Sequence, residues 1–311
     1  MKILKRILKV MFVASAVFSL LGTTACKEKN DNSEANEFTA TIFTDVHHGD
    51  YNYNDFKCTN ALRKLQKIID ETPNSDFYIN LGDMVDYLKN GKVTFYEEVA
   101  AKLRENNLNI YNVEGKNYVE GNRMVYNVLG NHETAYVPKA DLKEFIPYVE
   151  GVGCVYSFQI KDVLFVSIDA NFDRETQSDE PAIMRGSTKF TIPQKVISWA
   201  KEEVKSKIND SVKGIVWLSH IAFKDIDNTS RFELVDALNE YGLPLTIFEG
   251  HTHSEAYYRW YDDADETKTI ASVYTLPAVT TAETYKYYNV TFSNGTVKEI
   301  DKHLTDTIEL I

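Results

Sequence analysis

Residues 243–253 read LPLTIFEGHTH, a short apolar run that ends in a glycine and is followed by two histidines with one threonine between them. An apolar run of this length between a proline and a glycine predicts a buried β-strand. The chain has only seven histidines in 311 residues, yet two of them lie close together at the end of this strand. Whether the pair is functional depends on where the other histidines lie.

Four other predicted strands end in the same way, with histidine or acidic residues directly after an apolar run. The letters at these strand ends are DVHH at 45–48, GD at 82–83, GNHE at 130–133 and SH at 219–220. Ligands bind at the carboxyl ends of strands in open α/β sheets. A single histidine at such a place is usually an ordinary polar residue, but five such strand ends together predict one shared site.

Some residues outside this core pattern need separate interpretations. His303 lies on a late predicted strand, and we expect it to be structural or exposed. His48 follows another histidine and is either a substrate contact or an exposed loop residue. Among the basic residues, Arg123, Arg185 and Lys189 fall in predicted loops, where they could help to hold a phosphate.

The order of predicted elements indicates an α/β protein. Apolar residues at helical spacing predict helices at 55–70, 93–106, 193–208 and 230–241. Beyond residue 255 the chain is mostly predicted strand, and SNG at 293–295 predicts a hairpin turn. We expect one domain over residues 38–311, in which two sheets face each other and each is backed by helices. This is a four-layer α/β/β/α double β-sandwich.

The charge of the chain limits its partners. The formal net charge is -12, and residues 1–25 carry basic residues and no acids, so the remainder is more acidic still. Nonspecific nucleic-acid binding needs a basic face, and we therefore expect none here. An acidic protein also repels anionic substrates, so any phosphate chemistry needs a strong local positive charge such as bound metal.

The N-terminal residues 1–25 have the composition of a bacterial lipoprotein signal peptide. A basic start precedes the apolar run VMFVASAVFSLLG, which is too short to span a bilayer. Small residues lead to Cys26, which we expect to be lipidated, and residues 26–37 are polar enough to form a tether. The protein is then exported and lipid-anchored, at the outer membrane or cell surface, and not cytoplasmic. The alternative is a plain secretory signal cleaved near Ala25.

The other two cysteines leave two interpretations open. Cys58 and Cys154 could form a disulfide in an oxidising compartment, or they could stay as buried thiols. Their spacing is not that of a zinc knuckle. The candidate ligands are therefore Asp, His and Asn side chains, a set that suits Mn, Fe, Zn or Ni.

Taken in order, Asp-x-His, Gly-Asp, Gly-Asn-His-Glu, His and Gly-His-x-His resemble the motifs of the calcineurin-like metallophosphoesterase superfamily. Each motif is weak alone, but five in the correct order are specific, and they cover residues 38 to about 255. The resemblance implies the same double β-sandwich fold. It also implies a dinuclear metal centre, in which one ion is held by Asp45, His47 and His253, the other by Asn131, His220 and His251, and Asp83 bridges both.

The resemblance implies roles for two further residues. His132 would act as general acid for the leaving group or as a charge stabiliser, and Asp86 would orient it by a hydrogen bond. The role of Glu133 stays open. Tyr87 and Leu88 stand where phosphoprotein phosphatases carry arginine and glycine, which argues against that branch.

The predicted function is a metal-dependent phosphoesterase acting on a small phosphate-ester substrate. A metal-bridging water or hydroxide would attack a phosphomonoester or a phosphodiester, and the residues do not decide between these two. The alternative is a membrane-anchored binding lipoprotein whose metal site is structural or vestigial.

Overall fold

β-Strands make up most of the regular structure. The protein is represented by a computed structural model, which describes residues 36–49, 60–86, 93–112, 115, 118–262, 265–279 and 284–307. The strands of this part are Phe38–Phe43 (β1), Phe77–Asn80 (β2), Leu108–Ile110 (β3), Arg123–Asn127 (β4), Tyr156–Ile160 (β5), Val163–Ser167 (β6), Phe172–Asp173 (β7), Phe190–Thr191 (β8), Gly214–Ser219 (β9), Leu245–Glu249 (β10), Ala256–Asp262 (β11), Asp265–Thr275 (β12), Thr284–Ser293 (β13) and Thr296–Thr307 (β14).

These strands form two six-stranded sheets and one short two-stranded sheet. The first sheet has the order β14-β13-β1-β2-β4-β3, the second has the order β11-β12-β10-β9-β6-β5, and β7 pairs with β8. In the first sheet β1, β2, β4 and β3 are parallel neighbours, while β13 and β14 are antiparallel. In the second sheet β6, β9, β10 and β12 are parallel neighbours, while the two edge strands are antiparallel.

Helices lie in the connections between strands. The α-helices of the described part are Ala61–Glu71 (α1), Thr94–Glu105 (α2), Asn131–Thr134 (α3), Pro181–Met184 (α4), Gln194–Lys207 (α5) and Asn228–Asn239 (α6). Two 3₁₀ turns occupy Lys139–Leu142 and Phe223–Asp225. Asp227 caps α6, because its side chain accepts a hydrogen bond from the backbone N–H of Ser230.

Apolar side chains form three separate packed layers, and these define the fold. One layer lies between the sheets, with residues such as Ile79 and Phe248. A second joins the first sheet to α1 and α2 through residues such as Leu65 and Val99, and a third joins the second sheet to α5 and α6. Burying one such side chain fully contributes about 1.5–3 kcal/mol. The predicted α/β/β/α double β-sandwich is confirmed.

The sheets approach each other closely at the end opposite to the carboxyl ends of β9 and β10. A Cβ atom on Gly214, the first residue of β9, would lie 1.7 Å from the carbonyl oxygen of Gly295 in the β13–β14 turn. Only glycine fits such a backbone contact. The turn itself is the predicted hairpin, with positive φ at Asn294 and Gly295.

The elements that the sequence did not predict are short. They include β3, β7, β8 and α4, each of two to four residues. The predicted helix at 55–70 is observed from Ala61 onward, and residues 55–59 lie outside the described part. On that helix Lys64 is fully buried along with the predicted apolar face.

Predictions for the N-terminal segment and one cysteine fall outside the described residues. Residues 1–35, with Cys26, and residue Cys58 belong to this group, as do Tyr87 and Leu88. Cys154 is a free and buried thiol, and burial raises its pKa well above the usual value. None of the helices in the part of the chain that the structure describes is long and apolar enough to cross a membrane.

Candidate metal centre

The parallel registers bring five strand ends to one edge of the sandwich. The hydrogen-bonded alignment of β1 with β2 continues past the strands, since Asp45 N donates to Gly82 O at 3.0 Å and His47 N donates to Asp83 O at 2.9 Å. In the second sheet Gly250 N donates to His220 O at 3.1 Å. The residues that follow β1, β2, β4, β9 and β10 therefore meet. The structure brings all nine predicted metal-binding and catalytic residues to this edge.

The backbone at this edge is held in an unusual conformation. Nine non-glycine residues of the described part have positive φ, and five of them are candidate ligands: Asp45, His47, Asp83, His251 and His253. Non-glycine residues in this region are uncommon and cluster at functional sites, because the surrounding structure must offset the strain. Here the conformation turns each side chain sharply off the end of its strand, toward its neighbours.

Asp45, His47 and His253 form the first cluster. The Oδ1 atom of Asp45 lies 3.0 Å from Nε2 of His253 and 3.5 Å from Nε2 of His47. The two Nε2 atoms lie 3.2 Å apart. Asp45 is fully buried, whereas the side chain of His253 is 46% exposed, so the cluster opens to solvent on the side of His253.

Asn131, His220 and His251 form the second cluster. The Oδ1 atom of Asn131 lies 3.0 Å from Nε2 of His220 and 2.9 Å from Nδ1 of His251. His220 is fully buried, and its Nδ1 atom lies 2.9 Å from the carbonyl oxygen of Leu81 in the other sheet. A carbonyl oxygen can only accept, so Nδ1 carries a proton, and Nε2, which faces Asn131 and Asp83, is the atom that would bind a metal.

Asp83 lies between the two clusters. Its Oδ2 atom is 3.1 Å from Nε2 of His220 and 3.9 Å from Nε2 of His47. Its Oδ1 atom accepts a hydrogen bond of 2.9 Å from the backbone N–H of His132. One carboxylate thus faces a histidine of each cluster, which is the position that a bridging ligand needs.

The donor atoms fit divalent cations in spacing and in kind. Metal–ligand distances of about 2.0–2.2 Å put adjacent ligand atoms about 3 Å apart, as these side chains are. Carboxylate and imidazole atoms within 4.8 Å of one another form the groups Asp45–His47–His253, His47–Asp86–His132 and Asp45–Asp83–His220 in the described part of the chain. The set combines carboxylates and imidazoles without thiolates, which suits first-row transition metals.

The electrostatics of the clusters keep the carboxylates ionised. Burial raises the pKa of Asp83, but His220 and His132 nearby lower it more, so the net shift is downward. Asp45 has a lowered pKa for the same reason, through His253 and His47. Burial next to His220 lowers the pKa of His251 to about 4, so this ring is neutral near pH 7 and its nitrogens can serve as ligands.

His132 projects from α3 at the open side of the site. Its side chain is 38% exposed, and its Nδ1 atom is hydrogen-bonded to Oδ1 of Asp86. Burial lowers the pKa of His132, but the nearby Asp83 and Asp86 carboxylates outweigh it and raise the pKa to about 9. The predicted His132–Asp86 pair is therefore present as a contact, and its imidazole is protonated near neutral pH.

Glu133 has a structural position that sequence reasoning did not find. Its fully buried carboxyl accepts from the backbone N–H groups of Asp83, Met84 and Val85 at 3.2, 2.7 and 3.3 Å, and from the Tyr96 hydroxyl at 3.0 Å. These hydrogen bonds stabilise the turn that carries Asp83. The available signal was an acid next to His132 in a motif whose other members were assigned.

Gly130 explains why glycine precedes Asn131. A Cβ atom at this position would lie 2.0 Å from Oδ1 of Asp83 and 2.5 Å from Oε2 of Glu133. A side chain of any size would push the candidate bridging carboxylate away. The glycine of GNHE is thus set by the packing of the site.

Glu249 supports the second sheet in a similar way, and the sequence analysis missed it. Its buried carboxyl accepts from the backbone N–H of Phe223 and from the hydroxyl of Thr275, both at 2.6 Å. Burial raises its pKa to about 7. The available signal was an acid at the end of an otherwise apolar strand.

Other residues considered from the sequence have different positions. His48 is buried, and its Nε2 atom lies 2.7 Å from Oε2 of Glu98, so the exposed-loop interpretation is wrong. Arg123 is at the amino end of β4, away from the site, and donates to three carbonyl oxygens of residues 72–75. Lys189 is exposed and pairs with Glu175.

His303 and Arg185 complete the set. The ring of His303 stacks on Tyr287, with centroids 4.3 Å apart, so it is structural as expected. Arg185 is exposed and lies against the residues that follow α3, where its Nε donates to the carbonyl oxygen of Ala135 at 3.3 Å.

Comparison with known proteins gives one family match by sequence and several matches by fold. The profile of the family described as calcineurin-like phosphoesterase matches residues 38–255. A search of curated protein sequences found no match.

Similar solved structures include three bacterial proteins. A conserved uncharacterized protein from Streptococcus pneumoniae TIGR4, described as a predicted phosphoesterase, is 9% identical with a TM-score of 0.34, over 86% of this chain and 88% of that one. Sulfate thiohydrolase SoxB of Thermus thermophilus, in complex with glycerol, is 11% identical with a TM-score of 0.44. The match covers 85% of this chain and 55% of SoxB. A 5'-nucleotidase precursor, also from Thermus thermophilus, is 13% identical with a TM-score of 0.44. The match covers 86% of this chain and 54% of the nucleotidase precursor. The chain thus matches little more than half the length of the two Thermus proteins.

Proposed function

Because this chain belongs to the calcineurin-like phosphoesterase family, we propose that it is a metal-dependent hydrolase that cleaves a phosphomonoester or a phosphodiester of a small molecule. The observation that carries the proposal is the position of Asp83 between two ligand clusters. Its Oδ2 atom lies within 4 Å of His220 and His47, one from each cluster. A single carboxylate that faces two sets of imidazoles is suited to a dinuclear centre.

The side chains of the site would form two sets of ligands, one for each of two ions. Asp45, His47 and His253 would hold one ion, Asn131, His220 and His251 would hold the other, and Asp83 would contact both. When bound, the ions would supply Lewis-acid polarisation of the phosphoryl oxygens and an activated water nucleophile. The neutral ring of His251, whose pKa is lowered to about 4, is ready to bind a cation near pH 7.

The residues around the clusters would prepare the ligands. Leu81 O fixes the tautomer of His220, and the Thr44 hydroxyl donates to Oδ2 of Asp45 at 2.7 Å. Such contacts orient the ligand side chains, and losing one typically lowers metal affinity about 10–100-fold. Glu133 would hold the Asp83 turn in place before any cation binds.

His132 would act on the leaving group. Asp86 accepts from Nδ1, so the proton on Nε2 is directed away from Asp86 and available to a leaving oxygen. The neighbouring carboxylates hold the pKa of His132 at about 9, so the ring carries its proton at neutral pH. Its 38% exposure leaves room for a substrate beside it.

We further propose that residues 1–25 direct export, that Cys26 carries a lipid anchor and that residues 26–37 tether the domain of residues 38–311. The support is the sequence composition alone. Labelling with a radioactive fatty acid should mark the wild-type chain and not Cys26→Ala. Equal labelling of both would contradict the anchor and leave the hydrolase proposal untouched.

The hydrolase proposal is tested with the purified domain, residues 38–311, freed of metal and reloaded with Mn²⁺, Fe²⁺, Zn²⁺ or Ni²⁺. We expect release of nitrophenol from nitrophenyl phosphate, from bis-nitrophenyl phosphate or from both, with at least one metal. Activity should disappear with a chelator and return with metal. No hydrolysis of either ester with any of the metals would favour the alternative of a binding protein with a structural metal site.

A further inference from the structure

The segment from β7 to β8, residues 172–191, forms a wall beside the candidate metal centre. Two of its contacts lie next to the site. The ring of Phe190 packs edge-on against the ring of His251, with centroids 5.4 Å apart. The other contact is Arg185, which follows α4 and lies on the residues just after α3.

Arg185 is held in place through part of its guanidinium group. Its Nε donates to the carbonyl oxygen of Ala135 at 3.3 Å, and its Cζ atom lies 5.3 Å from the centre of the Tyr136 ring. Hydrogen bonds of the helical type continue past α3, since Ala135 N donates to Asn131 O at 3.0 Å. The Nη atoms of Arg185 have no hydrogen-bond partner among the described residues.

This position lies on the leaving-group side of the site. Tyr136 is four residues after His132, in the turn that follows α3, where its backbone N–H donates to Glu133 O at 3.3 Å. This spacing puts Tyr136 about one helical turn beyond His132. His132 is the residue that would protonate the leaving group, so a guanidinium stacked on Tyr136 stands one turn further out in the same direction. Its free Nη atoms are then available to the body of the leaving group and not to the reacting phosphorus.

Two other cations in this region of the described chain are already engaged. Lys139 is buried and bonded to Asp169 at 2.7 Å, with Asp179 3.3 Å away. Lys189 pairs with Glu175. In a chain with net charge -12, an exposed arginine whose planar guanidinium has free donors is a group well suited to pair with a second anion.

We infer that Arg185 determines specificity and that the natural substrate carries an anionic substituent, a carboxylate or a phosphate, on its leaving group. This inference rests on the proposed phosphoesterase function. A guanidinium forms bidentate hydrogen bonds with either anion, and such charge-assisted hydrogen bonds are stronger than those between neutral groups. Within the wall, Phe190 restricts the site on the His251 side, whereas Arg185 lies beside the residues that follow α3, which is where the leaving group would extend.

The first test measures binding and needs no turnover. Isothermal titration calorimetry of the Mn²⁺-loaded domain compares 4-carboxybenzylphosphonate with its neutral carbamoyl analogue, and a 4-phosphonobenzyl analogue distinguishes a phosphate-type anion from a carboxylate. We expect the wild type to bind at least one anionic compound about tenfold more tightly than the neutral one. Arg185→Gln should remove the difference and leave the affinity for the neutral compound unchanged, and Arg185→Lys should keep part of it.

The second test measures turnover. The matching phenyl esters are prepared as monoesters or as methyl diesters, according to which nitrophenyl ester the wild type hydrolyses. Arg185→Gln should raise KM for the preferred anionic ester about tenfold, with kcat/KM for the neutral ester unchanged. Lys189→Gln, in the same segment, is the control and should behave as wild type.

Three results would overturn the inference. They are equal binding of anionic and neutral compounds by the wild type, a preference that survives in Arg185→Gln, and a loss of affinity for the neutral compound as large as for the anionic ones. The last result would mean that Arg185 only supports the fold. A wild type that binds the anionic phosphonate through Arg185 but hydrolyses no ester would contradict the hydrolase proposal and, with it, the leaving-group part of this inference. Arg185 would then be an anion-binding residue only.

Discussion

The two sheets contribute different chemistry to the candidate metal centre. The first sheet supplies every oxygen donor, from Asp45, Asp83 and Asn131, together with His47, and it also supplies the His132–Asp86 pair. The second sheet supplies imidazoles alone, from His220, His251 and His253. The negative charge that would attract cations therefore lies on one sheet, and the imidazoles that would complete the coordination lie on the other.

Because of this difference, neither sheet alone could form the candidate metal centre. The buried carboxylates of the first sheet would repel each other without a cation, and their lowered pKa values depend on histidines that include those of the second sheet. Substitutions on the two sheets should consequently differ in kind. Loss of Asp83, the first-sheet carboxylate that faces both clusters, should abolish metal binding, whereas loss of a second-sheet imidazole should weaken the binding of one ion.

Asp83→Asn should have the largest effect. We expect this variant to lose both metal ions and measurable activity, because it removes the charge shared by both clusters. His253→Ala should keep one ion, since its ring serves a single cluster and is 46% exposed. Metal analysis after gel filtration and titration with Mn²⁺ measure both.

Asp162→Asn is the control for that comparison, because Asp162 is also a buried acid but lies in the β5–β6 turn, away from the site. Its metal content should equal that of the wild type. If Asp83→Asn bound two ions with wild-type affinity, the contrast between the sheets would be lost.

His132→Ala tests the chemical role of the first sheet apart from metal binding. A lost general acid lowers kcat by about 10²–10⁴-fold, while metal content should be kept. In the wild type kcat should fall as pH rises through the pKa of His132, which is about 9 without metal and lower with cations nearby. The acid must be protonated to act, so the loss is on the alkaline side.

The control for His132 is His303→Ala, which removes a histidine that stacks on Tyr287 outside the site. It should keep the kcat and the alkaline limb of the pH profile. An unchanged alkaline limb in His132→Ala would assign that limb to another group.

Glu133→Gln tests the support of the Asp83 turn. Glutamine has one acceptor oxygen where the carboxyl uses both, so part of the set of three backbone N–H groups loses its partner. An unsatisfied buried donor costs about 1–3 kcal/mol, and the displaced turn should weaken Mn²⁺ binding by about 10–100-fold. Chemical denaturation and calorimetry measure the two effects, and an unchanged Mn²⁺ affinity would limit Glu133 to a role in stability.

Glu249→Gln should alter how stability depends on pH. Burial raises the pKa of Glu249 to about 7 from a usual 4.5, so its contribution to stability is complete below about pH 4.5 and is lost as pH rises through 7. Between pH 5 and pH 8 the wild type should therefore lose about 2–3 kcal/mol more unfolding free energy than the glutamine variant. Urea denaturation at both pH values measures this.

Glu203→Gln should show the opposite sign when the urea denaturation is extended below about pH 4.5. Burial raises the pKa of Glu203, but hydrogen bonds from Lys207 and Ser157 lower it by more, so the net shift is downward. The contribution of Glu203 to stability is therefore lost as pH falls. Equal pH dependence of the wild type and Glu249→Gln would show that Glu249 ionises in the folded protein at its ordinary pKa.

Asp227→Ala should have the smallest effect. It removes the side-chain cap of α6, a helix that packs on the second sheet far from the carboxylates of the first. The expected cost is about 1 kcal/mol of unfolding free energy. Asp236→Ala, an exposed position on the same helix, should cost much less, and neither variant should change Mn²⁺ binding.

Much of the fold followed from sequence because the strands and long helices have strong periodicity. The faces of α2 and α5 were predicted through residues such as Val99, Leu103 and Val204, all of which are buried. The short elements were missed because two to four residues hold no periodic signal. β7 and β8, for example, pair only because the excursion of residues 172–191 folds back on itself.

The candidate ligands were predicted because each follows a strand, and parallel strands bring their carboxyl ends to one edge. The supporting residues could not be found in this way. Glu133 and Glu249 are acids whose partners are backbone N–H and hydroxyl groups up to 50 residues away in the chain. Arg185, one of three basic residues considered, is singled out only by its contact with Ala135 and Tyr136.

The sequence by itself determined which chemistry this protein carries, because residue types at strand ends and their order along the chain depend on covalent sequence alone. The tertiary structure decided which of these groups face each other. Asp83 meets His220 only because two sheets pack face to face through their apolar layer, and no local pattern encodes that contact. Distances of about 3 Å between side chains more than 100 residues apart arise from packing, which is a property of the whole chain.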